Sequence, residues 1–151
     1  MTDNARLYTS KRMAIVLAIK GVLETIDGTG AFRTSVAEVG DRLKFWDEVQ
    51  NFPSAFITPG TEVRTYQGGG YKDRTLSVTI RCYVNVDNAM YALEAFLEDV
   101  ETVIEQNGRL AYLDSLGNTQ YTHDITVASI TTDEGVLEPL GVGEVQLEVK
   151  Y

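Results

Sequence analysis

"TLSVTIRCYVNV", residues 75–86, decides the fold. Leu76, Val78, Ile80, Cys82, Val84 and Val86 fall on one side of an extended chain. Thr75, Ser77, Thr79, Arg81, Tyr83 and Asn85 fall on the other. Successive side chains of a β-strand point to opposite faces, so this alternation predicts a strand with one face on a core and one face open. At roughly 3.3 Å per residue the strand is about 40 Å long. A compact domain of this size is hardly wider, so one end of the strand is expected to project.

Immediately before it stands "QGGGYKDR", residues 67–74. Three glycines beside a lysine suggest a phosphate cradle, but such a loop needs a strand before it, a helix after it, and Lys-Ser or Lys-Thr at its close. Here Lys72 is followed by Asp73 and then by the long strand, so no helix N-terminus is at hand for an anion. The glycines predict a mobile hairpin tip instead. Further upstream, "SAFITPG" reads as a short strand stopped by Pro59-Gly60, and "EVRTYQ" as the next one. Residues 31–53 show neither period, and are read as a loop with a short strand or a turn of helix, pinned to the body by Trp46 and Phe52. Ahead of that loop, Ile15, Ile19, Val22, Leu23 and Ile26 recur at helical steps. They predict a helix over Arg6–Ile26, ended by Gly28 and Gly30.

Downstream, Asp87-Asn88 is placed to cap a second helix, with Ala89, Leu93, Phe96, Leu97, Val100, Val103 and Ile104 as its apolar face. Asn107-Gly108 reads as its left-handed stop. Two strands follow: "TVASITT" turns at Asp133-Glu134-Gly135, and Val145, Leu147 and Val149 alternate with Gln146, Glu148 and Lys150. The succession predicts an α+β fold. It is a two-layer sandwich with a mostly antiparallel sheet of four to five strands and two main helices on one face. With 151 residues the expectation is a single domain over 1–151.

Little in the composition points to catalysis. Cys82 is the sole cysteine and lies on the inward row of the strand, where thiols are packing residues; it excludes an internal disulfide. His123 is the sole histidine and reads as a surface residue at a strand edge. Glu94, Glu98, Asp99, Glu101 and Glu105 run down one side of the second helix, a solvated row. An enzyme built from this chain would depend on carboxylates alone. The formal charge of −9 argues against gripping nucleic acid by its phosphates. The longest apolar run, "MAIVLAI", is too short to span a membrane. With no secretion signal legible, synthesis in a reducing cytoplasm is expected.

Three stretches resemble a known family. "FPSAFITPG" leads through the glycine hairpin into "RTLSVTIRCYVNVDNAMYALEAFLEDVETVIEQN", and "ITVASITTDEGVLEPLGVGEVQLEVKY" closes the chain. From about Pro53 onward this is similar to the tail terminator, or tail completion, proteins of long-tailed bacteriophages. The resemblance implies a hexameric ring, without cofactor or reaction, on the head-proximal end of the virion's tail tube. It implies as partners the tube protein, the head-completion connector and DNA passing unbound through the lumen. Ring closure through one heterologous contact needs two unlike patches per subunit. The hairpin and open strand face would give one (Tyr66, Gly68, Gly69, Gly70, Tyr71, Lys72, Thr79, Arg81, Tyr83), and the region of Trp46 the other. The alternatives are a neck or head-completion subunit, and a cytoplasmic ligand-binding α+β domain.

Overall fold

The computed structural model describes residues 10–151. Helix α1 (Lys11–Leu23) starts at Ser10, whose extended backbone (φ −93°, ψ 167°) and hydroxyl, accepting from the Met13 N–H, form its N-cap. Of the helix expected over Arg6–Ile26, residues 6–9 lie outside the described residues. At the other end the helix stops at Leu23, because the chain turns before Gly28 and Gly30, and Asp27 accepts from the Thr29 N–H and hydroxyl. Ile26 is buried nevertheless.

Next come β1 (Glu38–Gly40), β2 (Ser54–Tyr66) and β3 (Lys72–Asn85), then α2 (Ala89–Glu105). The short strands β4 (Ala111–Leu113) and β5 (Thr119–Tyr121) make a separate two-stranded ladder. β6 (Asp124–Thr132) and β7 (Leu140–Lys150) complete the main sheet, whose order is β1-β2-β3-β7-β6. Every neighbouring pair in it is antiparallel except β1 with β2. Both helices pack on one face, α1 against β2 and β1, and α2 against β3, β7 and β6. The expected two-layer α+β sandwich is therefore the fold, with a five-stranded mixed sheet.

The inward row is as read: Leu76, Val78, Ile80, Cys82 and Val84 are buried against Val145, Leu147 and Val149 of β7 and the apolar faces of both helices. Val86 departs from it. It lies past the end of β3 and is exposed. Gly141 and Gly143 let α2 lie close on β7. A Cβ at Gly143 would meet Leu97 of α2 at 3.2 Å, and one at Gly141 would meet Ala89 of α2 at 3.4 Å and Val84 of the neighbouring β3 at 2.7 Å.

Several local expectations are corrected. Pro59-Gly60 does not end a strand. β2 runs through it with a register shift between Pro59 and Glu62, a bulge on an edge that β1 has already left. The Arg12 guanidinium donates to the Gly60 carbonyl inside this irregularity. Asn88 occupies the N-cap position in a left-handed conformation (φ 58°) and makes no side-chain cap bond. Glu138 accepts from the Met90 N–H in its place, at 3.4 Å. Asn107-Gly108 is not a left-handed stop. α2 ends at Glu105, and the Asn107 side-chain amide donates to the Val103 carbonyl.

Candidate assembly surface

The candidate surface begins where β3 outruns its neighbour. From Arg74 onward β3 is flanked by the C-terminal strand, the Arg74 carbonyl accepting from the Tyr151 N–H at 3.2 Å, but Lys72 and Asp73 pair only with Tyr66 and Thr65 of β2. Two pairs at roughly 3.3 Å make a two-stranded ribbon reaching about 7 Å past Tyr151, before its turn. Its end is a tight, non-helical turn over Gly68–Gly70. Gly69 and Gly70 take φ of 77° and 82°, a region costly for residues with a Cβ, and the Gln67 N–H donates to the Tyr71 carbonyl at 2.7 Å. Tyr66 and Tyr71 stand on either side of the turn, 71% and 76% exposed. At the root of the ribbon, Glu62 receives the Tyr151 hydroxyl and the Arg64 guanidinium. A loop tip held by a regular ribbon and carrying two solvated tyrosines is suited to contact another protein.

The open face of the sheet continues from the ribbon. The Thr79 hydroxyl donates to Gln146 Oε1 at 3.0 Å, and Arg81 is ion-paired with Glu144 at 3.2 Å. Tyr83, expected on this face, is buried. Its ring meets Phe56 at 6.0 Å among Val49 and Phe52, its hydroxyl donates to the Lys44 carbonyl at 2.6 Å, and burial pushes the phenol pKa up. The loop over residues 41–53 covers this end of the sheet, so Tyr83 is an anchor for that loop and not a contact surface.

Trp46 changes role in the opposite sense. Expected to pin the loop, it is half exposed beside the exposed Phe45 and Leu43, while Val49 and Phe52 do the pinning. The structure thus gathers Tyr66, Gly68, Gly69, Gly70, Tyr71 and Lys72 on the ribbon and places Thr79 and Arg81 along the open face. Trp46 lies on the loop at the far end of β3. Sequence reading missed Phe45 and Leu43, which lie in a stretch without period and so gave no signal beyond being apolar.

The acidic row of α2 divides. Asp99 is buried, its carboxylate accepting from the Arg33 and Thr34 N–H groups at 2.9 and 2.7 Å, and it ties α2 to the loop after α1. Glu98 pairs with Arg33. Glu94, Glu101 and Glu105 make no ion pair among the described residues. Burial pushes the Cys82 thiol up to about 12, the opposite of what a nucleophile needs. His123 is an exposed residue just ahead of β6.

What this surface can do is bind by shape and charge. The fold is a two-layer α+β sandwich with a projecting ribbon, and comparison with known proteins says to which family it belongs. A family model described as the bacteriophage tail tube terminator protein matches residues 9–151. The tail tube terminator protein p142 of Escherichia phage T5 is 28% identical over 148 residues, covering 95% of this chain and 92% of that protein. A chain of the virion of a native gene transfer agent particle has the same fold, with a TM-score of 0.56 over 91% of this chain and 93% of that one, at 9% identity. The chain belongs to the bacteriophage tail tube terminator family, structural proteins of the virion tail and not enzymes.

Proposed function

We propose that six copies of this chain close a ring on the head-proximal end of the tail tube. The ring stops further tube subunits from adding, offers the head-completion connector its docking surface, and lets DNA pass through its lumen. Membership of the terminator family supports the location. The observation that carries the ring is the ribbon. It extends past the body of the subunit on one side of the structure, whereas the exposed Leu43, Phe45 and Trp46 lie at the far end of β3. Two unlike patches on one subunit are what a closed heterologous ring requires. The formal charge of −9 keeps passing DNA from sticking to the assembly.

The test is tube growth in vitro. Purified chain added to polymerising tube subunits should arrest elongation, with extra density at one tube end by electron microscopy. Tubes that keep growing at the same rate under a molar excess of the chain would sink the proposal.

A further inference from the structure

The two ends of β3 carry features that match each other. At the ribbon end the Tyr71 ring lies over the turn, 3.6 Å from where a Cβ on Gly69 would stand. The side chain is exposed, and its hydroxyl makes no hydrogen bond among the described residues. Lys72, next to it, makes no ion pair among them.

At the other end, Asn85 and Val86 line a cleft of about 350 Å³ together with Phe52, Pro53, Ala92 and Ala95. The alanines at 92 and 95 leave the surface of α2 low where longer side chains would fill it. The one cation on the lining, Arg33, is already paired with Glu98. The Asn85 amide is exposed and makes no hydrogen bond among the described residues. An apolar depression with a free amide at its edge fits a phenol, whose ring is apolar and whose hydroxyl both donates and accepts.

Charge points the same way. Between Arg81 and Lys150 the sequence holds one Lys or Arg, which is Arg109. Asp87 follows Val86 and Glu94 precedes Ala95; both are exposed and make no ion pair among the described residues. Lys72 complements that acidic surplus. The loop that supplies Phe52 and Pro53 also carries the exposed Leu43, Phe45 and Trp46, which ties the cleft to the second patch of the ring. β3 has 14 residues, roughly 45 Å at 3.3 Å each, so a tip cannot reach the cleft of its own subunit. Contact between unlike ends of successive copies is the heterologous kind from which rings close.

We infer that the cleft between Asn85, Phe52 and Ala95 receives Tyr71 of a second copy of this chain, with Lys72 answering Asp87 and Glu94. This rests on the ring proposed above and names the contact that closes it. A different tail protein seated in the cleft is the outcome against which the test is set.

Phage lacking this gene product is supplied with a chain carrying Gln67→Cys at the tip and Ser35→Cys on the cleft lining, and isolated tails are treated with a short bis-maleimide. The unmodified chain is supplied first. Its failure to restore tail length would count against the terminator reading and take this contact with it. The double variant should give a ladder of covalent multimers on a denaturing gel, because each copy then carries both halves of the contact. Either single variant should stay monomeric, since Cys82 is buried. A ladder from one single variant, a link to a different protein, or no link in tails of normal length overturns the contact and leaves the terminator reading in place. Two further chains, Tyr71→Ala and Ala95→Trp, remove the ring and fill the cleft. Each should lose the restoration of tail length while circular dichroism melting shows it folded, and normal tails from either one overturn the contact as well.

Discussion

Asp99 and Tyr83 show how a residue's role depends on segments far away in sequence. Asp99 sits one position from Glu98 in an acidic stretch, and by spacing alone it belongs with the solvated row. It is buried because the loop after α1 arrives with two backbone N–H groups that no other group satisfies. Replacing Asp99 with Ala leaves both donors unpaired in a low-dielectric site, so a loss of about 1–3 kcal/mol is expected by urea denaturation. A loss below a few tenths would show that water takes over. Tyr83 falls on the face that alternation marks as open, and only the 41–53 loop folding over it makes it an anchor. By contrast Cys82 was legible from alternation alone. Its thiol, raised from 9.0 to about 12, stays protonated in the folded state at pH 8. Iodoacetamide should therefore label it only in denaturant. Because the unfolded thiol ionises first, its contribution to stability is complete below pH 9 and declines as pH rises from there towards 12. Rapid labelling of native protein at pH 8 would contradict the buried placement.

At the scale of elements, regular period and length decided what could be read. β3, β7 and α2 are long enough for their periods to stand out, and the glycine tip was legible because Lys72-Asp73 runs straight into a strand. β1 is only three residues and β4 and β5 three each, too short for a period, and β1 gains its place by parallel pairing with β2, the strand that follows it across the 41–53 loop. β2 was split in two by a reading that treats Pro-Gly as a stop, whereas an edge strand absorbs it as a bulge. The ribbon is the element on which the assembly reading depends most. Its tip is solvent-exposed, Tyr66 and Tyr71 included, so removing Gly68–Lys72 should shift the melting temperature little while abolishing tube capping. Normal capping by the trimmed chain would remove the ribbon from the interface.

For the whole molecule, the sequence reached the α+β sandwich and the family through patterns spread over two-thirds of the chain. The candidate surface was legible only in part. The ribbon followed from one long strand, but the exposed Phe45 and Leu43 and the exchange of roles between Trp46 and Tyr83 are tertiary facts. They arise where chain segments distant in sequence meet.

The central claim is that this chain tells the tail tube where to stop. Electron microscopy of a lysate from phage lacking this gene product tests it most directly. The account predicts headless tails that are overlong and uneven in length, because nothing caps the growing end. Tails of normal, uniform length beside unattached, filled heads would contradict it and move the protein's work from the tube to the neck.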